Sequence, residues 1–375
     1  MKIKLEFRTC TGETDSQKIG CVIVTYNRLQ LLREVVAAVL SQTRQPDFVV
    51  IVDNNSSDGT QAWLLDLASY YRHVRLMFLD RNYGGAGGFH YGIRQAYEQG
   101  ADWIWTLDDD SIPNHDALEQ LMAFLNKASS GDSPKIGFLA SEVNWIDGNR
   151  HRMNVPGAPG DWSSGHPRIS GSTKVCATTF VSMLLGRSAV SQVGYPIKEF
   201  FLWFDDVEYS LRICDSGFTN YYVPASKVCH VTETNDSGAD YCRVTPQNLW
   251  RYKVGSRNRV AYHVGREFGF LRGLWEIIWM YNRMRVNRIP LHLKLSVLFA
   301  ASSGLFFRYR KLIEKPDDIL TSVPERAIQP PQIKEVDNLL GSVSFSCENS
   351  DVHSTPEVPK QRQLEHNMVK EFPLS

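Results

Sequence analysis

Three adjacent carboxylates follow an apolar segment in the first third of the chain. Trp103 to Leu107 form a β-prone run, and Asp108, Asp109 and Asp110 come directly after it. Neighbouring carboxylates repel one another, and a hard divalent cation with oxygen ligands is the usual relief, often together with substrate phosphates. The triplet therefore predicts a site for a metal ion and a diphosphate. A solvated acidic turn that closes a strand is the alternative.

Repeated strand and helix patterns position this triplet. Apolar, β-rich runs alternate with helical patterns and lie at Ile19 to Thr25, Phe48 to Asp53, Val74 to Leu79 and Trp103 to Leu107. Such alternation predicts an α/β fold with a doubly wound, mostly parallel sheet. In sheets of this kind ligands bind at the carboxyl ends of the strands.

Polar residues follow each of these runs, at Thr25 to Asn27, Asp53 to Gly59, Arg81 to Gly85 and Asp108 to Asp110. The four strand ends are therefore expected to meet in one cleft. The glycines of the third segment predict a tight turn, since glycine allows close backbone approach. A helix at Phe89 to Gln99 is expected to follow that turn.

The later half of the chain predicts a second set of elements. They are a long surface loop from Asn144 to Gly171, a strand near Val175 to Ser182, a helix at Arg187 to Val193, a helix at Val207 to Asp215, and strand-like pieces at Tyr221 to Val223 and Lys227 to His230. The aromatic and acidic segment that precedes the second helix ends in Asp205 and Asp206.

Composition sets limits on the class of protein. The 375 residues have 43% hydrophobic content and no net charge, which suits one large domain with a smaller appendage. Seven scattered cysteines without a Cys-x-x-Cys pair predict neither a disulfide framework nor a zinc site, and they favour a reducing cytosol. Met1 to Gln17 lack the apolar core of a signal peptide, so nothing predicts export.

A basic segment covers residues 243 to 311. It holds fourteen Lys and Arg against two acids, interleaved with aromatic residues, which suits an anionic membrane surface or nucleic acid. Leu271, Leu274, Trp275 and Ile278 share one face of a predicted amphipathic helix. The longest uncharged stretch, of thirteen residues, is shorter than the roughly twenty that cross a bilayer. Such a helix would lie on a membrane or pack on the domain.

Four regions follow from these patterns. We expect an N-terminal extension at 1–18, a catalytic domain at 19–242, a basic helical segment at 243–311 that associates with a membrane or packs on the domain, and a disordered tail at 312–375. The tail is rich in proline and shows no periodicity.

Five motifs, taken in order, resemble the inverting glycosyltransferase family with the GT-A fold. They are Val24 to Arg28, Val52 to Thr60, Asn82 to Phe89, Leu107 to Asp110 and Trp203 to Glu208. The resemblance spans about residues 19 to 265 and is strongest to bacterial galactofuranosyltransferases, which also have a histidine downstream of the paired Asp, here His230. Phe204 stands where those enzymes would have Trp, so rhamnosyltransferases of the same family are close competitors.

The resemblance implies roles for individual residues. Asp108, Asp110 and His230 would bind Mn²⁺ or Mg²⁺, whose open coordination positions hold the diphosphate. The donor nucleotide would be bound by Asp53 at the base, Thr25 and Asn27 in the nucleotide pocket, Asn82 near the ribose or diphosphate, and Gly84, Gly85 and Asp109 beside them.

Inversion in a single displacement needs a general base opposite the leaving group. Asp206 is the predicted base, because a carboxylate at the start of a helix can take the proton of the attacking hydroxyl. Asp205 and Trp203 are predicted to contact the acceptor or the donor sugar. Asp205 and Asp206 could instead only cap the helix, whose dipole favours first-turn carboxylates.

The family resemblance implies transfer of a hexose, galactofuranose from UDP-galactofuranose, onto a cell-surface polysaccharide or a lipid-linked glycan. The basic segment would then hold the cleft near an anionic membrane surface, with no nucleic acid as a partner, at a cytoplasmic location on the inner face of the cell membrane. A rhamnosyltransferase that uses dTDP-rhamnose is the nearest alternative. A nucleotidyltransferase would more naturally have a Gly-rich phosphate loop with a lysine, and a non-catalytic carbohydrate-binding module would leave the acidic residues without a role.

Overall fold

The computed structural model describes residues 17–128, 135–157, 174–236, 238, 240–266 and 269–316. The predicted N-terminal extension before residue 17, the predicted loop beyond residue 157 and the predicted tail beyond residue 316 lie outside this part of the chain. The four predicted strands are present as β1 (Ile19–Thr25), β2 (Phe48–Asp53), β3 (Val74–Phe78) and β4 (Trp103–Asp108).

Helices connect these strands, as α1 (Leu29–Leu40), α2 (Thr60–Tyr70) and α3 (Gly84–Glu98), and α4 (Ala117–Ala128) follows β4. The apolar face of α1, which includes Leu32, Val35 and Val39, is buried against the sheet. Helix α3 begins at Gly84, so the expected tight turn before Phe89 is helical. Glycine is a poor helix former, but here the packing of α3 on β1 and β2 decides the conformation.

Further strands in the described residues complete the sheet. They are β5 (Ser111–Pro113), β6 (Ile136–Asn144), β7 (Lys174–Val175), β8 (Met183–Gly186) and β9 (Thr219–His230), together with α5 (Arg187–Val193) and α6 (Asp205–Asp215). The strand predicted near Val175 to Ser182 is wrong, since β7 ends at Val175 and β8 starts at Met183. The two predicted strand pieces after α6 form the single strand β9, and β6 was not predicted.

The strand order is β3-β2-β1-β4-β8-β6-β9-β5, and β7 pairs with β9. The first four strands are parallel, whereas β8 runs antiparallel to both β4 and β6. The register places Thr25 beside Asp53, and Val24 beside Asp108. Further along the sheet, Ser111 pairs with His230. The predicted nucleotide and metal residues therefore lie at strand ends on the same side of the sheet.

Hydrophobic cores lie on both faces of this sheet, as the doubly wound prediction requires. Ile23 of β1 packs with α1, α2 and α4 on one face. Val22, its neighbour in the strand, packs with α3, α5 and α6 on the other. Successive strand side chains point to opposite faces, so a continuously apolar β1 is what a strand covered on both sides needs.

Three helices follow the sheet: α7 (Leu249–Arg266), α8 (Phe270–Val286) and α9 (Leu291–Ser303). These helices pack on the domain, which is one of the two predicted alternatives, and membrane association stays a prediction. One face of each helix packs in a shared core that includes Val260, Met280 and Val297, and α7 also contacts the 3-10 turn at Lys198–Phe200. Across the described residues, no helix combines the length and apolarity needed to cross a membrane.

The structure differs from the sequence prediction on the cysteines. Cys176, just after β7, and Cys214, on α6, form a disulfide with their Cα atoms 5.3 Å apart. A separation of 38 residues with no motif gave no sign of this pairing, because tertiary packing alone brings the segment after β7 onto α6.

Candidate active site

Two residues of the acidic triplet and a histidine converge at the end of β4. Each of Asp108, Asp110 and His230 offers a ligand atom, and these atoms all lie within 4.8 Å of one another. The pairing of β5 with β9 brings His230 here, where its Nε2 is 3.1 Å from Oδ1 of Asp110. Two carboxylates and an imidazole form a donor set that suits Mn²⁺ or Mg²⁺.

The orientation of His230 is fixed from its other side. Nδ1 lies 2.8 Å from Oδ1 of Asn154, and the ring lies against that of His151 at a tilt of 36°, with the ring centres 4.6 Å apart. An Nδ1–H that donates to the amide oxygen leaves Nε2 directed towards the two carboxylates. A ligating histidine is usually held in this way by a partner on its second nitrogen.

The charges at this point are unbalanced, which supports a cation there. Burial, together with the neighbouring Asp110, raises the pKa of Asp108 to about 7. The pKa of Asp110 is below its usual range, because the His230 and Arg28 charges outweigh the effect of burial. Oδ1 of Asp110 is buried without a hydrogen bond of good geometry. A divalent ion would satisfy this oxygen and offset the repulsion.

Asp109, the middle residue of the triplet, points the other way, towards the end of β1. Its Oδ2 accepts hydrogen bonds from Oγ1 of Thr25 at 2.9 Å and from the amide of Tyr26 at 3.2 Å. Its Oδ1 is 3.1 Å from Nη1 of Arg28, which also contacts Asp110 at 2.5 Å. Burial raises the pKa of Asp109 to about 6, although the Arg28 charge opposes this. Asp109 therefore joins the triplet to the predicted nucleotide pocket.

The predicted nucleotide residues shape the loop after β2. Asp53 is fully buried, and its carboxylate accepts hydrogen bonds from the Ser56 amide and, at 2.9 Å, from Nε2 of Gln61. Oδ1 of Asn27 accepts from the amide of Ser57 at 2.7 Å. Asp53 and Asn27 thus both organise this loop, and the strand register places it next to the end of β1.

The glycine-rich start of α3 forms another wall of the cleft. Oδ1 of Asn82 accepts a hydrogen bond from the Gly84 amide at 2.7 Å. Gly84 has a φ of 70°, and a Cβ there would collide with the carbonyl oxygen of Phe201. The position of Gly85 faces open space. Nδ2 of Asn54 donates to the Gly84 carbonyl at 3.2 Å, which ties the end of β2 to this helix.

The paired carboxylates occupy the first turn of α6, which begins two residues earlier than predicted. The Val207 amide donates to Oδ1 of Asp206 at 2.7 Å, so the capping role is present. Burial raises the pKa of Asp206 to about 6. Burial and the adjacent Asp206 raise the pKa of Asp205 well above its usual range, and the charge of Asp108 adds to this effect. Asp205 is therefore electrostatically coupled to the triplet.

Trp203, predicted to contact a sugar, is partly buried against the C-terminal helices. Its ring meets that of Tyr252 edge to face, with the ring centres 5.3 Å apart. Trp203 and Phe204 both have positive φ angles. The structure thus brings Asp108, Asp110 and His230 together and links Asp109 to Thr25, while Trp203 contacts α7.

Sequence reasoning gave no site role to Arg28, Asn54 or Asn154. Arg28 follows the first strand directly, and its position beside a predicted acidic site was a usable signal. Asn54 stands in a run of polar residues where several could serve equally. Asn154 lies in an aperiodic segment, and only the folded structure brings it to His230.

Known proteins with sequences similar to this chain include glycosyltransferases. The model of the family described as Glycosyl transferase family 2 matches residues 21–166. The chain is 30% identical over 209 residues to the galactofuranosyltransferase GlfT1 of Mycolicibacterium smegmatis. The aligned region covers 54% of this chain and 68% of that protein. The chain is 25% identical over 264 residues to the dTDP-rhamnosyl transferase RfbF of Shigella flexneri, over 68% of this chain and 81% of that protein.

A solved structure agrees on the fold. A crystal structure of GalNAc-T7 with UDP, GalNAc and Mn²⁺ superimposes with a TM-score of 0.52 at 15% identity, over 78% of this chain and 56% of that chain. At this identity the likeness concerns the fold alone.

Proposed function

We propose that this chain, which belongs to glycosyl transferase family 2, transfers galactofuranose from UDP-galactofuranose to a cell-surface polysaccharide or a lipid-linked glycan. It has the GT-A fold of that family and is a glycosyltransferase, which sets aside the nucleotidyltransferase and the carbohydrate-binding module. The observation that carries the proposal is the convergence of Asp108, Asp110 and His230 at the edge of the sheet where β1 and β2 also end.

Asp108, Asp110 and His230 would hold Mn²⁺ or Mg²⁺. The ion would neutralise the negative charge of the departing nucleoside diphosphate. On the donor side, Asp53 and Asn27 support the loop proposed to hold the base, and Thr25 would line the pocket next to Asp109. Asn82, Gly84 and Gly85 at the start of α3 would lie near the ribose or the diphosphate, because the positive end of the helix dipole favours anions and the space beside Gly85 is open.

Asp206 would be the general base. An acceptor hydroxyl oxygen forms the new bond to the anomeric carbon, the bond from that carbon to the diphosphate oxygen breaks, and the hydroxyl proton passes to the Asp206 carboxylate. The Val207 amide occupies only Oδ1 of this carboxylate. Asp205 would contact the acceptor or the donor sugar, and Trp203 would form part of the wall behind them.

Galactofuranose is favoured over rhamnose by the motif order and by the similarity to the galactofuranosyltransferase GlfT1. The similarity to the dTDP-rhamnosyl transferase RfbF extends over more of the chain, although at lower identity. The chain differs from the galactofuranosyltransferase pattern at Phe204. A rhamnosyltransferase is therefore the second candidate function.

A donor panel tests this assignment. UDP-galactofuranose, but not dTDP-rhamnose, is expected to yield a glycosylated product with a lipid-linked glycan acceptor and Mn²⁺ or Mg²⁺, as measured by mass spectrometry. At one hundred times its dissociation constant, the donor should raise the melting temperature by about 4 °C, because it binds only the native state. Product from dTDP-rhamnose alone would establish the second candidate. Lack of product from every donor would contradict both.

An exposed apolar surface on α8, α9 and the turn after them supports membrane association. We call it the apolar face, and it consists of Phe270, Leu271, Leu274, Trp275, Ile278, Tyr281, Val286, Leu291, Leu295, Phe299 and Phe306. These eleven are most of the fourteen large hydrophobic side chains exposed in the described residues. A concentration of exposed apolar side chains is typical of sites that interact with proteins or membranes.

Exposed basic side chains lie in the same chain segments as the apolar face. The exposed basic residues near the end of α8 are Arg283, Arg285 and Arg288. Those that follow α9 are Arg308, Arg310 and Lys311. Apolar side chains next to cations match an anionic lipid surface, in which the former insert and the latter bind headgroups. The proposed partner is therefore an anionic membrane and not nucleic acid.

The proposed location is the inner face of the cell membrane. A reducing cytosol would keep Cys176 and Cys214 as thiols. Free thiols at these two positions in cells would therefore support this location, and a disulfide between them would contradict it.

Charging the apolar face is expected to abolish vesicle binding. The variant Trp275→Glu/Ile278→Glu should bind vesicles of anionic phospholipid on the order of 100-fold more weakly, because each inserted side chain contributes about 1.5 kcal/mol or more. Co-sedimentation with such vesicles measures the effect. Leu65→Glu, which changes an exposed leucine on α2, is the matched control and should bind normally. Equal binding by the double variant would contradict the proposal.

A further inference from the structure

The segment that leads into the paired carboxylates has an unusual backbone. Phe201, Trp203 and Phe204 have φ angles of 65°, 66° and 68°. L side chains rarely adopt this left-handed conformation, and residues that do are held in it by their surroundings. We call residues 199–204 the approach loop, because α6 with Asp205 and Asp206 starts directly after it.

A single side chain on α7 binds three carbonyl groups of the approach loop. Nδ2 of Asn258 lies within hydrogen-bond distance of the carbonyl oxygens of Phe200 at 2.8 Å, Leu202 at 3.0 Å and Trp203 at 3.0 Å, and its two hydrogens are shared among these three acceptors. Asn258 is fully buried. An asparagine in the middle of a helix has low helix propensity, so its place on α7 has to be explained by these contacts.

The neighbouring arginine fixes which way the amide of Asn258 points. Arg257 donates from Nε and Nη2 to Oδ1 of Asn258, at 3.0 Å and 2.8 Å. This arrangement assigns Oδ1 to the arginine and directs Nδ2 to the approach loop. Nη2 of Arg257 also donates to the Glu199 carbonyl at 2.7 Å. Together the two side chains bind the loop at four carbonyl groups.

On its other side, the approach loop contacts the start of α3, where the sugar donor is proposed to bind. The Ala86 amide, in the first turn of α3, donates to the Phe201 carbonyl at 3.2 Å. On the α7 side, a Cβ at Gly255 would collide with the ring of Trp203, so only glycine allows this close approach. The loop is therefore fixed between α3, which faces the donor, and α7, which belongs to the C-terminal helices.

We infer that Asn258 is a positioning residue that fixes the approach loop, and with it Asp206, for proton transfer from the acceptor. The inference rests on the proposed function, in which Asp206 is the base. It also gives the C-terminal helices a part in the reaction, since α7 holds the catalytic segment. Displacement of a catalytic group by about 1 Å can cost about 100-fold in rate.

Hydrogen exchange tests the contact itself. In Asn258→Ala, the amides of residues 200–207 are expected to exchange at least tenfold faster than in the wild type. Ser256→Ala is the matched control, because Ser256 is equally buried on α7 but bonds to Lys253 and to α9. Its exchange over 200–207 should be unchanged. Unchanged exchange in Asn258→Ala would overturn the inference, whatever the activity of the protein.

Kinetics test the consequence. Asn258→Ala is expected to lower kcat about 100-fold and to leave the affinity for UDP within threefold. In the Asp206→Asn background the same substitution should lower kcat no further, because both changes affect one group. If Asn258→Ala does not fold, Arg257→Lys is the milder variant to use in its place, and it should lower kcat about tenfold. Faster exchange with an unchanged kcat, or additive losses in the double variant, would reduce Asn258 to a purely structural role.

The two proposals fail in different ways. If the wild type transfers no sugar from any donor, the proposed function is wrong, and exchange alone then decides whether Asn258 fixes the loop. If the wild type is active and Asn258→Ala is equally active, only the positioning role is wrong.

Discussion

Asp206→Asn is expected to lower kcat about 10³-fold and to leave the affinity for UDP within threefold. A general base contributes roughly 10² to 10⁴ in rate, and an amide cannot take the proton of the acceptor hydroxyl. The substitution is nearly isosteric, and its amide oxygen can still accept the hydrogen bond from the Val207 amide. Initial rates of product formation, together with UDP titration by calorimetry, separate the chemical step from binding.

Asp215→Asn is the matched control for this substitution. Asp215 is exposed at the other end of α6 and forms an ion pair with Arg266. Surface pairs of this kind contribute little to stability, so the control should keep the wild-type rate. Full activity of Asp206→Asn would show that another residue is the general base. Loss of UDP affinity in the variant would instead assign Asp206 to the donor.

The same assignment sets the direction of the pH dependence. Asp206 must be ionised to accept a proton, and burial raises its pKa to about 6. Below pH 6 the rate should therefore fall about tenfold per pH unit, and above pH 7 this residue should impose no further change. The residual rate of Asp206→Asn should not show this fall below pH 6. A fall that persists unchanged in the variant would exclude Asp206 as its source.

Stability gives an independent check on Asp206. A carboxyl group with a raised pKa in the native state binds more protons there than in the unfolded state, so its contribution to stability decreases as pH rises from about 4 to about 6. At pH 7 the ionised Asp206 is therefore a cost to folding. Asp206→Asn should melt no lower than the wild type at pH 7, which would separate its loss of activity from unfolding.

Local patterns in the sequence were sufficient for the first four strands of the fold. The runs that became β1 and β2 were predicted to the residue, because a strand buried on both faces has a nearly continuous apolar sequence. The start of α3 was placed too late at Phe89, since glycine signals a turn unless packing overrides it. Here the close packing of α3 on the sheet decides in favour of a helix from Gly84.

Contacts between distant segments were beyond sequence reasoning. Strand β8 lies between β4 and β6, so its position depends on partners that are far away in the chain. Motif order could suggest Asp108, Asp110 and His230 as a set, but not that Asn154 binds the far nitrogen of the imidazole. Asn258 was equally hidden, because its role depends on the left-handed loop it holds.

Removal of the divalent cation is expected to lower activity at least as much as loss of the base. Treatment with EDTA, or the substitution Asp110→Asn, should lower kcat/KM about 10³-fold, because charge stabilisation by a metal ion contributes several kcal/mol. Product formation across a Mn²⁺ titration measures this, and calorimetry with Mn²⁺ and UDP measures binding separately. Asp66→Asn, an exposed aspartate on α2, is the control. Full activity of Asp110→Asn in EDTA would exclude a metal-dependent reaction.

Asp108→Asn distinguishes a metal site from a merely acidic surface, because stability and function should change in opposite directions. Without an ion, burial and Asp110 raise the pKa of Asp108 to about 7. The contribution of Asp108 to stability therefore decreases as pH rises from about 4 to about 7, and the full cost is present above pH 7. In EDTA at pH 8 the variant should melt at a higher temperature than the wild type. Addition of Mn²⁺ and UDP should then raise the melting temperature of the wild type and not of the variant. A variant that melts lower in EDTA, or that still responds to Mn²⁺, would show that Asp108 is not held in the structure as a cation ligand.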